Sequence, residues 1–94
     1  MLIRALGPTL TAFNVAGALQ DPTLQLFNST GTVIATNDNW QDTQATQIQA
    51  TGRAPPDNRE SAIYATLPAG NYTAVASGAH NATGVVLLEV YNLQ

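Results

Sequence analysis

The chain has 94 residues, no cysteine and no lysine, and its three arginines and six acids leave a net charge of −3. Charged residues make up 10% of it, against roughly 25% in an ordinary soluble domain, while the apolar share of 45% is normal. This balance excludes a cationic groove for nucleic acid and a disordered acidic tail, and no apolar run reaches the roughly 20 residues that span a bilayer. The length fits one domain over residues 1–94, built on a single core.

Periodicity of two runs through most of the chain. Leu2–Leu6 reads as a strand stopped by Gly7-Pro8, and residues 9–15 as a second extended piece. Asp21-Pro22 opens residues 23–27, where Leu24 and Leu26 share a face, and Asn28-Ser29-Thr30-Gly31 turns the chain into residues 32–36 as the partner strand of a hairpin. Residues 37–58 are irregular: residues 43–50 can form two turns of helix, and Pro55-Pro56 cannot donate to a ladder. A crossing this long carries a binding role or covers an open end of the fold.

Order resumes at residues 60–67, with Ile63, Ala65 and Leu67 on one face. Pro68-Ala69-Gly70-Asn71 reads as a tight turn into residues 72–77, and residues 78–84 as a hairpin loop. Residues 85–93 form the strongest strand, apolar on both faces near its middle, which predicts a central position. The pattern predicts an all-β fold, an antiparallel β-sandwich of about 7–8 strands with one long irregular loop.

No catalytic constellation is legible. The single histidine, His80, lies in a Gly/Asn/Thr-rich loop with no neighbouring carboxylate in sequence, so the chain reads as a non-enzyme. The segment Asn37, Asp38, Asn39 and Asp42 offers hard oxygen ligands that suit calcium, with Asp57 and Glu60 re-entering after the loop. The competing account is a set of Asx turns at a strand end, in which case no cofactor is bound. Trp40, set among Asn and Gln, could stack on a glycan or fold back as a lid on the core. Asn28, Asn71 and Asn81 each begin an N-x-S/T sequon at an expected turn or strand start, and so are candidate glycosylation acceptors or simply turn residues. Arg4, in the first strand, is expected to pair with Glu89 in the last.

Several strings also resemble one module type. They are Leu2-Ile3-Arg4-Ala5-Leu6-Gly7-Pro8-Thr9-Leu10, Asp21-Pro22-Thr23-Leu24, Val33-Ile34-Ala35-Thr36-Asn37-Asp38-Asn39-Trp40, Leu67-Pro68-Ala69-Gly70-Asn71-Tyr72-Thr73 and Thr83-Gly84-Val85-Val86-Leu87-Leu88-Glu89-Val90-Tyr91. In this order they are similar to the pre-peptidase C-terminal domains of secreted and cell-surface bacterial proteins, over nearly the whole chain except residues 41–58. The resemblance implies a jelly-roll-like, extracellular and non-catalytic module that acts as a spacer, adhesion or assembly unit. Asn14 departs from it, standing where glycine is expected, although asparagine tolerates positive φ.

Composition points the same way, since a lysine-free surface rich in Thr, Asn and Gln suits an extracellular or cell-surface protein. Met1 leads straight into a strand rather than a leader, which reads as a mature product or an excised module. Leu2–Leu6 is expected to be an edge strand with few blocking charges. Leu2, Ile3, Leu6, Val86, Leu88 and Val90 are therefore candidate assembly residues for a self-associating fibre or adhesin-like protein, whose partners would be copies of itself or neighbouring β-sandwich modules. The alternative is a carbohydrate-binding module centred on Trp40, possible calcium included.

Overall fold

A computed structural model describes residues 1–68 and 70–91. In chain order these residues form β1 (Leu2–Leu6), α1 (Pro8–Ala12), β2 (Pro22–Phe27), β3 (Val33–Asn37), α2 (Ala45–Ala50), β4 (Ser61–Tyr64), β5 (Thr73–Gly78) and β6 (Leu87–Tyr91), with 3-10 turns at Trp40–Asp42 and Ala79–Asn81. The strands make two antiparallel sheets of three, ordered β4-β1-β6 and β3-β2-β5. The chain is thus mostly β. It has six strands among the described residues rather than the seven to eight expected, and residues 9–15 account for one of the differences.

The period-two pattern places the core. Ile3, Ala5 and Ile63 of one sheet meet Leu24 and Leu26 of the other, with the small Ala35, Ala74 and Ala76 filling in around them. The alternate residues Leu2 and Ala62 point to the opposite face, where they pack with Trp40 and Ile48 from the irregular crossing. Residues between β3 and β4 therefore form a third layer over the outer face of the β4-β1-β6 sheet. The segment thus covers a sheet face rather than the open end expected of it, and α2 falls within residues 43–50, where two helical turns were expected.

The third layer also reverses two expectations. β1 pairs with both β4 and β6, so it is the middle strand and not an edge. Leu2, Ile3 and Leu6 are 0%, 2% and 5% exposed, which removes them as assembly residues. β6, expected to be central, is instead the edge, because among the described residues only β1 pairs with it. Five apolar-rich residues can be buried on both faces when a distant segment supplies the second cover, and nothing within the strand itself announces that cover.

Residues 9–15 are not extended. Pro8 occupies the start of α1, where its missing N–H costs nothing, and the buried Glu60 carboxylate accepts from Gly7 N (2.9 Å) and Thr9 N (3.0 Å). The helix is followed by Asn14 at φ 64°, the left-handed conformation that asparagine tolerates. Residues 78–84 are not a hairpin loop either, since β5 and β6 belong to different sheets. The turn Ala79–Asn81 carries the chain across, with His80 and Asn81 both left-handed (φ 56° and 61°). In the turn expected at Pro68–Asn71, Ala69 lies outside the described residues, as does the Leu93 end expected for the last strand. The β2–β3 hairpin forms as read, with Leu24 opposite Asn37 and Leu26 opposite Ala35.

Candidate functional site

The two edges of the β4-β1-β6 sheet are finished differently. Along β4, side chains take the place of a neighbouring strand. The Asn37 side-chain Oδ1 accepts from Ala62 N at 2.9 Å, and the Gln44 side chain both accepts from Tyr64 N (3.0 Å) and donates to Tyr64 O (2.8 Å). Trp40 N adds a bond to Glu60 O at 2.9 Å just before the strand. This edge has its backbone groups satisfied and is closed to a further strand.

Along β6 no such bond exists among the described residues. Its side chains are apolar on both faces, with Leu87 43%, Leu88 39% and Val90 58% exposed. Leu88 and Val90 stand opposite Ala5 and Ile3 in the ladder, so they share the core-facing side of the sheet yet project past the cover that the second sheet provides. An apolar cleft of about 290 Å³ opens there between the sheets, lined by Met1, Ile3, Leu26, Tyr72, Ala74 and Val90. Val86, the remaining candidate, is half-buried against the core.

The one charge on β6 is already neutralised. Arg4 meets Glu89 across the β1–β6 ladder, as expected from sequence. Its Nε donates to Glu89 Oε1 at 3.1 Å, and one terminal nitrogen donates to the same oxygen and to the Tyr91 hydroxyl. Tyr91 OH in turn donates to Glu89 Oε2 at 3.0 Å, and the guanidinium groups of Arg4 and Arg53 lie 5.1 and 4.7 Å from the Tyr91 ring centre. Bringing a second surface to β6 would therefore not bury an unpaired charge.

Comparison with protein-family models, curated proteins and solved structures finds no match. Function has to be argued from the geometry alone.

The residues proposed for calcium are not assembled as a cage. Asn37 is buried, and its amide is committed to the fold: besides holding Ala62, its nitrogen donates to Asn39 O (3.0 Å) and Thr43 Oγ1 (3.2 Å). Asn39 donates to Asp42 at 3.4 Å, while Asp38 is exposed. Among the described residues no group of three Asp, Glu, His or Cys is placed to hold a metal ion. The sequence signal was that of Asn and Asp at a strand exit, and the structure uses it for turn geometry and edge capping.

Trp40 is 5% exposed and lies against Leu2, Ile48 and Ala62, so its ring is the lid and not a platform for a sugar. Among the sequons, Asn71 and Asn81 are exposed and Asn28 is half-buried. The Asn28 side-chain Oδ1 organises its own turn, accepting from Thr30 N, Thr30 Oγ1 and Thr32 N.

Two carboxyls are shifted in opposite directions. Partial desolvation, then the hydrogen bond and charge of Asp21 and the charge of Asp42, raises Asp38 above its usual range, with His80 pulling the other way. The bonds from the Arg59 side chain and backbone hold Asp57 below its usual range. Neither the edge caps nor the buried role of Glu60 was legible beforehand, because Gln44 read as part of a short helix and Glu60 as an oxygen donor beside the candidate calcium segment until their distant backbone partners are known.

Proposed function

We propose that this chain is a non-catalytic structural module of secreted or cell-surface bacterial proteins, joined through β6 to a copy of itself or to a neighbouring module of the same kind. The finer architecture that goes with this reading is a jelly-roll-like sandwich, in which the two small sheets enclose the common core. The observation that carries the reading is the contrast between the edges. β4 is capped by Asn37 and Gln44, whereas β6, flanked by Leu87, Leu88 and Val90, has no such cap among the described residues. An edge strand with those features is a template for strand addition unless something covers it. The low charge supports the same view, since 10% charged residues give a free-standing monomer little protection against association.

Joining at β6 extends the sheet and covers the adjacent cleft in one step, so backbone hydrogen bonds and apolar burial act together. Glycan binding through Trp40 has lost the residue that motivated it. Sedimentation velocity over a concentration series tests the proposal. The chain is expected to associate as concentration rises, and Leu88→Lys combined with Val90→Lys to remain monomeric. Both side chains are partly exposed, so the variant is expected to lose no more than about 1 kcal/mol of folding stability. A wild-type chain that stays strictly monomeric at the highest attainable concentration would overturn the reading.

A further inference from the structure

The alternation of backbone bonds across the β4-β1-β6 sheet fixes which groups of β6 are left over. In an antiparallel sheet, successive residues point their N–H and C=O to opposite sides of the strand. On β4, Ala62 N and both backbone groups of Tyr64 turn away from β1, toward the Asn37 and Gln44 caps. Ser61 and Ile63 therefore face β1 and bond to Ala5 and Ile3, their partners in the ladder. Met1 belongs to the same set, since it exchanges bonds with Ala65, each at 3.0 Å. That leaves Leu2, Arg4 and Leu6 to bond with Tyr91, Glu89 and Leu87.

The N–H and C=O groups of Leu88 and Val90 consequently point out of the sheet. Val86 continues their side of the alternation, because Val85 is turned toward the segment that crosses the end of β1. Val85 N donates to Gly17 O (2.9 Å), and Val85 O accepts from Leu19 N (2.8 Å). Leu88 and Val90 also stand opposite Ala5 and Ile3, with exposed side chains on the core-facing side, and Val86 packs against the core. The same three residues thus carry the outward backbone groups and the apolar side chains beside the cleft.

We propose that the partner at β6 is a second copy of this chain, paired β6 to β6 and antiparallel about a two-fold axis at Leu88. This rests on β6 being the joining edge and goes further in naming the occupant and its register. End-to-end growth of the sheet would need β4 of the next copy, and that edge is closed by its caps. With the axis at Leu88, Leu88 meets its own counterpart and Val86 of each copy meets Val90 of the other. All three outward residues then exchange bonds with one another, about six in total. Centring on Glu89 pairs only Leu88 with Val90 and sets Glu89 against Glu89, a like-charge contact. Centring on Leu87 leaves Val90 opposite Gly84 and outside the matched set. About Leu88, Glu89 instead faces Leu87 of the other copy on the outer side, and its charge stays with Arg4. The axis runs normal to the sheet, so both core-facing sides lie together and the two clefts of about 290 Å³ merge. Val86, Leu88 and Val90 of both copies face into that joint space. Such a contact is isologous and closes at two copies.

The register is read from intermolecular nuclear Overhauser contacts in a mixture of isotope-labelled and unlabelled wild-type chain, with sedimentation giving the number of copies. A two-copy species is expected, with Leu87 Hα of one copy against Glu89 Hα of the other, the close approach of a pair that exchanges no hydrogen bonds. A charge swap at Leu87, whose side chain is 43% exposed, checks the same contact. Leu87→Asp meets Glu89 of the other copy twice as a like charge, and Leu87→Lys meets it twice as an opposite one. With both folds checked by circular dichroism, the Asp variant should associate at least about tenfold more weakly than the Lys variant. Growth beyond two copies, contacts that set Glu89 against Glu89, or contacts between β6 and a different strand would overturn the two-fold at Leu88 while leaving β6 as a joining edge. Equal affinities of the two variants would overturn it in the same way. A wild-type chain that stays monomeric ends the reading of β6 as a joining edge, and this pairing with it.

Discussion

Glu60→Gln is expected to destabilise the fold by about 4 kcal/mol, a large part of the roughly 5–15 kcal/mol that holds a domain together. Glu60 is 0% exposed, and its four bonding partners all donate: Gly7 N, Thr9 N, Thr9 Oγ1 (2.6 Å) and Asp57 N (3.1 Å). A carboxylate satisfies them with both oxygens, whereas an amide turns two N–H groups toward donors and leaves some of them orphaned. Those donors begin α1 and close the loop before β4, so one side chain ties the helix start to the third layer. Thermal unfolding should shift down by roughly 20 °C. Thr9→Val removes one of the four bonds and should cost only about 1–2 kcal/mol. Equal stability of Glu60→Gln and wild type would mean that the buried carboxylate contributes nothing to the fold.

Gly7→Ala is the second large effect. A Cβ at Gly7 would stand 1.7 Å from Leu19 O and 2.9 Å from Leu19 C, both backbone atoms. No rotamer change relieves that contact, so the chain carrying buried Leu19 must move away from the end of β1. A loss of about 3 kcal/mol or more is expected, against about 1 kcal/mol for Gly31→Ala, where the cost is only the left-handed backbone (φ +83°) in open space. Chemical denaturation of the two variants side by side measures the difference. Similar losses at both positions would contradict the close crossing of Leu19 over Gly7.

The parts of the structure that were legible beforehand are those settled by near neighbours in the chain. Leu24 and Leu26 alternate with polar residues and are followed by a four-residue turn cluster, so the β2–β3 hairpin could be read directly. Arg4 and Glu89 could be matched across the fold because so few charges compete for partners. The lid role of Trp40 followed from the large apolar area of an indole. What could not be read depends on contacts between distant residues. The cap of α1 comes from Glu60, 51 residues beyond Thr9, and the cover over β1 comes from a crossing whose buried apolar side chains are chiefly Trp40 and Ile48. The roles of β1 and β6 were therefore exchanged in the sequence reading: both are apolar, and only the placement of that cover decides which is interior. For the candidate site, Leu88 and Val90 were identified from their strand, while the closure of the opposite edge by Asn37 and Gln44 needed the fold.

The asymmetry of the two edges is also what makes association through β6 directly measurable. Amide hydrogen exchange, followed residue by residue at low and high protein concentration, separates the two edges in one experiment. The outward-facing amides of β6 should exchange quickly in dilute solution and become protected as concentration rises, while Ala62 and Tyr64 in β4, already bonded to Asn37 and Gln44, should stay protected throughout. Protection that appears on another surface, or β6 amides that exchange equally fast at every concentration, would contradict β6 as the joining edge.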